Sequence, residues 1–196
     1  MTILLLSAGT TALIVGGIIL LLVIIIAAMF VGYYNSFVRK RNNVEEGFST
    51  MDVYLKKRYD LVPNLVETVK GYAKHEKGTL ENVIKARNMA VGATSMEDKI
   101  QKDSALTGTL KSLFAVAESY PDLKADKQFL QLQNQMTSLE NEISSSRKYY
   151  NATAKTLNNA IQTFPGVLFA GIFKVKKATL YEVSDQTERE NVKVSF

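Results

Sequence analysis

The sequence predicts an all-α membrane protein, an N-terminal transmembrane helix continuing into an antiparallel up-down four-helix bundle. Three observations predict it. Residues 12–31 (ALIVGGIILLLVIIIAAMFV) carry no charge and no strongly polar side chain. Beyond them, apolar residues recur at three- and four-residue steps through most of the chain. Only three prolines, at 63, 121 and 165, punctuate the rest. The expected order is a short N-terminal tail at 1–10, a transmembrane anchor at 11–32, a helical bundle at 33–162, and a C-terminal apolar and basic segment with its tail at 163–196.

The anchor comes first. As a helix, residues 12–31 would be about 30 Å long, the thickness of a bilayer's hydrocarbon core. A lone segment there must satisfy its backbone internally, which a helix does. A cleaved secretory signal would carry a positive n-region and a shorter apolar stretch. Residues 1–32 contain no Lys or Arg, and Ala27-Ala28-Met29-Phe30 is a poor cleavage site, so an uncleaved anchor is expected. With no cysteine in the chain, a lipid-modified cysteine anchor is excluded. Arg39-Lys40-Arg41 follows the span closely, and positive residues stay cytoplasmic. The expected orientation is N-terminus out and body cytoplasmic. The same triplet would meet anionic headgroups. Ala12 and Gly16 form a small-xxx-small pair that would suit span-to-span packing, a weak signal.

All 24 basic and 19 acidic residues lie beyond the span, leaving a net charge of +5. They interleave along the chain, which suits a solvated helical surface better than a nucleic-acid groove. The body is long enough for one domain burying about 70% of its unfolded surface.

The first body helix continues the span to about Tyr59, with Phe37, Val44, Phe48, Met51 and Leu55 on one stripe. Asp60-Leu61-Val62-Pro63 reads as a turn, since proline is disfavoured inside a helix and welcome in its first turn. A second helix then starts near Val62, with Leu65, Val66, Val69, Tyr72/Ala73, Leu80, Val83/Ile84 and Ala90/Val91 inward, and ends at Gly92. A third follows Thr94/Ser95, with Glu97 and Asp98 in its first turn and Leu106, Leu110, Leu113, Phe114 and Ala117 buried. Ser119-Tyr120-Pro121 stops it. A fourth runs to about Gln162, with Phe129, Leu132, Met136, Leu139, Ile143, Tyr150, Leu157 and Ile161 inward in a heptad-like pattern. Short connections favour antiparallel neighbours. One tension remains, because this fourth helix would far outrun the first. Either it is broken or overhanging, or Pro63 is only a kink, which gives three long helices.

Residues 164–173 (FPGVLFAGIF) then carry no charge, and Lys174, Lys176 and Lys177 follow. Two readings stand. The segment lies in the headgroup layer with its lysines on phosphate, or it caps the open end of the bundle. Candidate membrane-surface contacts are Arg39, Lys40, Arg41, Phe164, Leu168, Phe169, Ile172, Phe173, Lys174, Lys176 and Lys177. Val192, Val194 and Phe196 alternate as in a strand, over too short a run to assign.

The residues also resemble a family. Tyr34-Asn35, Arg41-Asn42-Asn43-Val44 and Asp52-Val53 precede the long stretch Leu55-Lys56-Lys57-Arg58-Tyr59-Asp60-Leu61-Val62-Pro63-Asn64-Leu65-Val66. Thr68-Val69-Lys70-Gly71-Tyr72-Ala73-Lys74-His75-Glu76 continues it. Further on stand Tyr120-Pro121-Asp122-Leu123-Lys124-Ala125, Phe129-Leu130-Gln131-Leu132-Gln133, Tyr150-Asn151, Phe164-Pro165 and a terminal Val194-Ser195-Phe196. This set resembles the LemA family over nearly everything after the span. Ser146-Arg147 stands where the family more often has Ala-Arg. The resemblance implies a bacterial membrane protein with an N-terminal anchor and an antiparallel helical bundle, and no enzyme activity. Some members are encoded beside membrane metalloproteases, which implies a link to envelope quality control.

No chemistry-bearing constellation stands out. A di-iron bundle needs Glu-x-x-His motifs on two helices, and the single histidine, His75, has Tyr72 three residues before it. His75 is expected at the surface or at a cap. No Gly-x-Ser-x-Gly, phosphate-cradling glycine loop or cysteine nucleophile occurs. Asn151-Ala152-Thr153 fits a glycosylation sequon but falls inside a predicted helix. Asp52, Asp60, Glu67 and Glu76 read as solvated ion-pair partners. No catalytic residue, metal ligand or cofactor is expected. Lys56-Lys57-Arg58 is the densest basic cluster of the body; with Asp60 and Asn64 it forms a candidate partner surface beside the turn, or a solvated helix end.

The expected function is protein–protein interaction or self-assembly at the bacterial membrane. A lipid-interacting or membrane-shaping module using residues 164–177 is the second reading. Expected partners are the lipid bilayer, an unidentified membrane or cytoplasmic protein with a membrane protease among the candidates, and copies of the chain itself. No nucleic acid is expected.

Overall fold

A computed structural model describes residues 2–181, with side chains from residue 10 onward. Among the described residues it holds six helices and no strand. They are α1 (Thr2–Tyr72), α2 (Lys77–Val91), α3 (Met96–Ala117), α4 (Pro121–Ala125), α5 (Lys127–Gln162) and α6 (Gly166–Ile172). The all-α class and the long apolar N-terminal helix are as the sequence predicts. The alternating residues Val192, Val194 and Phe196 lie outside the described residues.

The chain divides into two compact units, Met1–Asn43 with Thr156–Ala178, and Val44–Lys155 with Thr179–Phe196. The second unit holds the main core. Along α1 the buried stripe is Val44, Met51, Leu55, Val62, Leu65 and Val69. It meets Leu80, Val83 and Ala90 of α2, Leu106, Leu110 and Leu113 of α3, and Phe129, Met136, Ile143 and Tyr150 of α5. Steps of three, four and seven residues keep each set on one helix face. Phe48, Phe114 and Leu139, expected inside, are half-buried.

One boundary moves. The expected turn at 60–63 is absent, and α1 runs through Pro63 to Tyr72. The chain turns instead at 73–76, closed by the Glu76 N–H donating to the Ala73 carbonyl at 3.1 Å. Proline inside a helix removes the N–H that would bond the carbonyl four residues earlier, which here is Tyr59. The Arg87 side chain replaces it, its Nε donating to the Tyr59 carbonyl at 3.1 Å. A partner 28 residues along the chain thus repairs the gap that the local sequence announces.

Two other boundaries follow local chemistry. Ser95 caps α3, its hydroxyl accepting from the Asp98 N–H at 3.1 Å, in the usual manner of a serine at that position. The overlong fourth helix is broken at Asp126, between α4 and α5. There the Asp126 carboxylate accepts the Phe129 N–H at 2.7 Å and the Tyr72 hydroxyl at 3.0 Å. It caps α5 and ties its start to the end of α1.

In the first unit, α1 begins at Thr2, so residues 2–10 are helical. Its apolar residues from Leu13 to Phe30 are all exposed, from 77% at Leu13 to 37% at Phe30. Apart from Phe30, which meets Phe169 and Phe173, they are uncovered, as expected for side chains that face lipid. This helix is long and apolar enough to cross a membrane.

Candidate functional site

Two places in the molecule concentrate chemistry, one in each unit.

The first is a buried ion cluster in the unit formed by Val44–Lys155 and its C-terminal strap. Arg58 and Tyr59 come from α1, Asp103 and Thr107 from α3, Glu140 and Arg147 from α5, and Tyr181 from the strap after α6. Arg58 and Asp103 are fully buried. Arg58 donates from Nη2 to Asp103, and from Nη1 to Glu140 at 2.6 Å and to Thr107 at 3.2 Å. The second oxygen of Asp103 accepts from Arg147 Nη2 at 3.1 Å and from the Tyr181 hydroxyl, and the Tyr59 hydroxyl bonds the first at 3.1 Å. With two bonds at each oxygen, the carboxylate is fully occupied. Two cations face two anions, so the cluster is neutral.

Burial works to lower the Arg58 pKa, but the carboxylates of Asp103 and Glu140 outweigh it and hold the guanidinium above its ordinary value. Burial first, and the Asp103 charge second, push the phenols of Tyr59 and Tyr181 well above their usual range. Arg147 also lies 4.2 Å over the Tyr181 ring, a cation–π contact. Asn151 grips the same residue from α5, accepting the Tyr181 N–H at 2.8 Å and donating to its carbonyl at 2.9 Å. Beside it Tyr150 donates to the Thr179 carbonyl at 2.6 Å, and burial raises its phenol to about 12. The cluster locks helix to helix and strap to helix. No oxygen of Asp103 is left to take a proton from, or ligate, anything else.

This geometry corrects one sequence reading. Of the candidate partner surface, Lys56, Lys57, Asp60 and Asn64 are exposed, but Arg58 is buried and cannot face a partner. It falls on the stripe of Leu55 and Val62, three and four residues away. All five sit within α1 rather than beside a turn. The burial of Arg58 and the role of Tyr181 escape composition; the three-and-four spacing around Arg58 is the one signal that points to it. Among the described residues, no three His, Asp or Glu side chains converge as a metal site.

The second place is an aromatic seat in the unit formed by Met1–Asn43 and Thr156–Ala178. Helix α6 lies against α1 where the apolar span ends. The Phe169 ring stacks on Tyr33 at 4.4 Å and meets Phe30 edge-on at 5.6 Å. Phe173 meets Phe30 at 4.9 Å and Tyr34 at 5.3 Å, both edge-on, the geometry aromatic pairs prefer. Gly166 lets the start of α6 approach the end of α5, where a Cβ would run into the Ala160 carbonyl oxygen. Lys174 ends α6 in the left-handed region, φ 52°, while the Val175 N–H returns to the Ala170 carbonyl at 3.0 Å. Asn158 then pairs with Ala178, donating to its carbonyl and accepting its N–H, both at 2.8 Å.

The candidate membrane contacts therefore split. Phe169 and Phe173 turn inward onto α1. Phe164, Leu168 and Ile172 point outward, 80%, 58% and 58% exposed. Lys174, Lys176 and Lys177 are exposed, as are Arg39 and Arg41, while Lys40 is half-buried and donates to Ser36 at 2.8 Å. One face of α6 is thus a seat on α1, and the other is a row of uncovered apolar side chains followed by lysines.

A helical bundle led by a membrane-anchor helix, with an internal salt-bridge lock, defines a membrane-associated helical protein. Comparison with known proteins narrows this. The sequence profile of the LemA family matches residues 47–196. The chain is 30% identical over 172 residues to Protein LemA of Metamycoplasma hominis, covering 85% of this chain and 76% of that one. It is also 23% identical over 175 residues to Magnetosome protein MamQ 2 of Paramagnetospirillum magneticum, and 22% over 174 residues to Magnetosome protein MamQ of Magnetospirillum gryphiswaldense. Those matches cover 76% of this chain and 64% of each MamQ protein. The chain belongs to the LemA family.

Proposed function

We propose that this chain is a non-catalytic adaptor of the bacterial inner membrane. Its span anchors it, its α6 segment rests in the headgroup layer, and its bundle binds protein partners. The observation that carries the reading is the contact of Phe169 and Phe173 with Phe30. Phe30 is the penultimate residue of the apolar run, so a helix packed on it lies at the depth where the hydrocarbon ends. Apolar side chains facing out at that depth, with lysines following, match the pattern of an interfacial segment. Leu168 and Ile172 enter the acyl boundary, and Lys174, Lys176 and Lys177 meet phosphates. Arg39 and Arg41 favour a cytoplasmic body.

The chain has no cysteine, which makes single-cysteine labelling clean. The full chain carrying Leu168→Cys or Ile172→Cys is reconstituted into anionic vesicles and treated with a water-soluble maleimide. Protection in vesicles, with rapid labelling in detergent and of an exposed Lys57→Cys control, is the expected result. Equal labelling of Leu168→Cys in both media sinks the interfacial seat. Lys57→Cys in intact cells reports orientation; labelling before lysis would put the body outside.

A further inference from the structure

The end of α1 and the length of α2 enclose an open groove of about 1400 Å³ that neither the ion cluster nor the aromatic seat uses. Val66, Leu80, Ile84 and Met89 form its apolar lining, with Lys70, Lys74, Lys77, Lys85, Glu67 and Glu81 around it. Val66 and Leu80 are nearly buried, whereas Met89 is 49% exposed, so the apolar floor is uncovered on the outer side. Lys70 pairs with Glu67 at 3.1 Å. That leaves Lys74, Lys77 and Lys85 against Glu81, a positive rim over an apolar floor.

Gly71 is the second observation. It lies in the last turn of α1 and lines the groove. Glycine inside a helix is about 1 kcal/mol worse than alanine, so its presence calls for a reason. The fold supplies none. Gly71 has no positive φ, so it is not a left-handed cap, and a Cβ built on it meets no heavy atom within 4 Å. The space above it is open, so a backbone approaching there meets no side chain of the protein itself.

We propose that this groove docks an acidic amphipathic helix of a partner protein. The occupant lays leucine-like side chains along Val66, Leu80, Ile84 and Met89, brings its backbone close over Gly71, and sets carboxylates on Lys74, Lys77 and Lys85. Helix-in-groove binding of this kind reads apolar anchors at i, i+3, i+4 and i+7, and the lysine rim steers and orients the partner. The inference rests on the reading of the bundle as a binding module, but needs no interfacial seat. A test in detergent therefore fails or succeeds independently of the vesicle labelling above.

The probe is a fluorescein-labelled helical peptide of about 18 residues, five turns, with leucines at the anchor spacing and glutamates elsewhere. Binding to the full chain in non-ionic micelles is followed by anisotropy, with empty micelles subtracted. Lys74→Glu/Lys77→Glu/Lys85→Glu reverses the rim. Gly71→Leu fills the groove at a site where the fold has room. Each should weaken binding about tenfold or more, and the parent's affinity should fall with salt. Unchanged melting of Gly71→Leu keeps a loss of binding from being a loss of fold. The proposal is overturned if both variants bind within twofold of the parent, or if a lysine-for-glutamate peptide binds as well. It is overturned equally if sedimentation shows that the chain self-associates and Gly71→Leu abolishes this, because the occupant would then be a second copy.

Discussion

Asp103→Ala removes the one group on which three helices and the strap converge. The structure sets the size of the effect. Breaking a buried ion pair by deleting one partner typically destabilises by about 3–5 kcal/mol, since the other charge is left uncompensated. Here Arg58 keeps Glu140 at 2.6 Å and Thr107 at 3.2 Å. Arg147 keeps the Tyr181 ring at 4.2 Å. The residual partners place the loss near the lower end, about 3 kcal/mol. For a chain of this length that lowers Tm by about 6–12 °C. Thermal unfolding of the full chain in micelles, followed by circular dichroism, reads it directly. A companion variant separates the lock from simple packing. In Arg58→Met/Asp103→Leu both charges are replaced by apolar groups, and such replacements are often neutral or better, so it should recover at least half of the lost Tm. The reasoning is refuted if Asp103→Ala costs less than about 1 kcal/mol, or if the double variant melts as low as the single one.

Other consequences follow from the same contacts. Arg87→Ala should destabilise by about 1.5–3 kcal/mol by leaving the Tyr59 carbonyl unsatisfied. In a Pro63→Ala background, where the helix supplies its own N–H, the loss should shrink; an unchanged loss in a double-mutant cycle contradicts the repair. Tyr59, Tyr181 and Tyr150 have raised folded-state pKa values. Their contribution is therefore full below the ordinary tyrosine value and is lost as pH rises beyond it. Urea midpoints should fall from about pH 10 upward, and a flat profile to about pH 11 would count against buried phenols. Asp126 is held below its ordinary range by the Phe129 N–H first and the Tyr72 hydroxyl second. Its contribution is present above the usual carboxylate value and disappears as pH falls through its own; Asp126→Ala should flatten the acid limb of a Tm-versus-pH curve.

How far the sequence reaches is clear from particular residues. The span, the α3 cap at Ser95, the stop before Pro121 and the inward stripe of α5 all follow from local pattern, since periodicity and capping act within a few residues. Pro63 misleads because its local effect is real, and only Arg87, 28 residues away, offsets it. Arg58 misleads because a cation directly after two lysines reads as solvated surface, and its burial depends on Asp103 and Glu140 from other helices. The segment 164–173 reads as apolar without a clear helical period. It becomes a helix because Phe169 and Phe173 find Tyr33, Tyr34 and Phe30 on α1, contacts between residues far apart in the chain.

The proposed place of α6 in the headgroup layer is a depth, and depth can be read directly. The chain has no tryptophan, so Leu168→Trp places a single fluorophore on the outward face. In vesicles whose lipids are brominated near the headgroup end of the acyl chain, the account predicts blue-shifted emission and strong quenching. Lys57→Trp on the exposed face of α1 should show neither. Red-shifted, unquenched emission from Leu168→Trp would contradict the account and leave α6 as a cap on the helices alone.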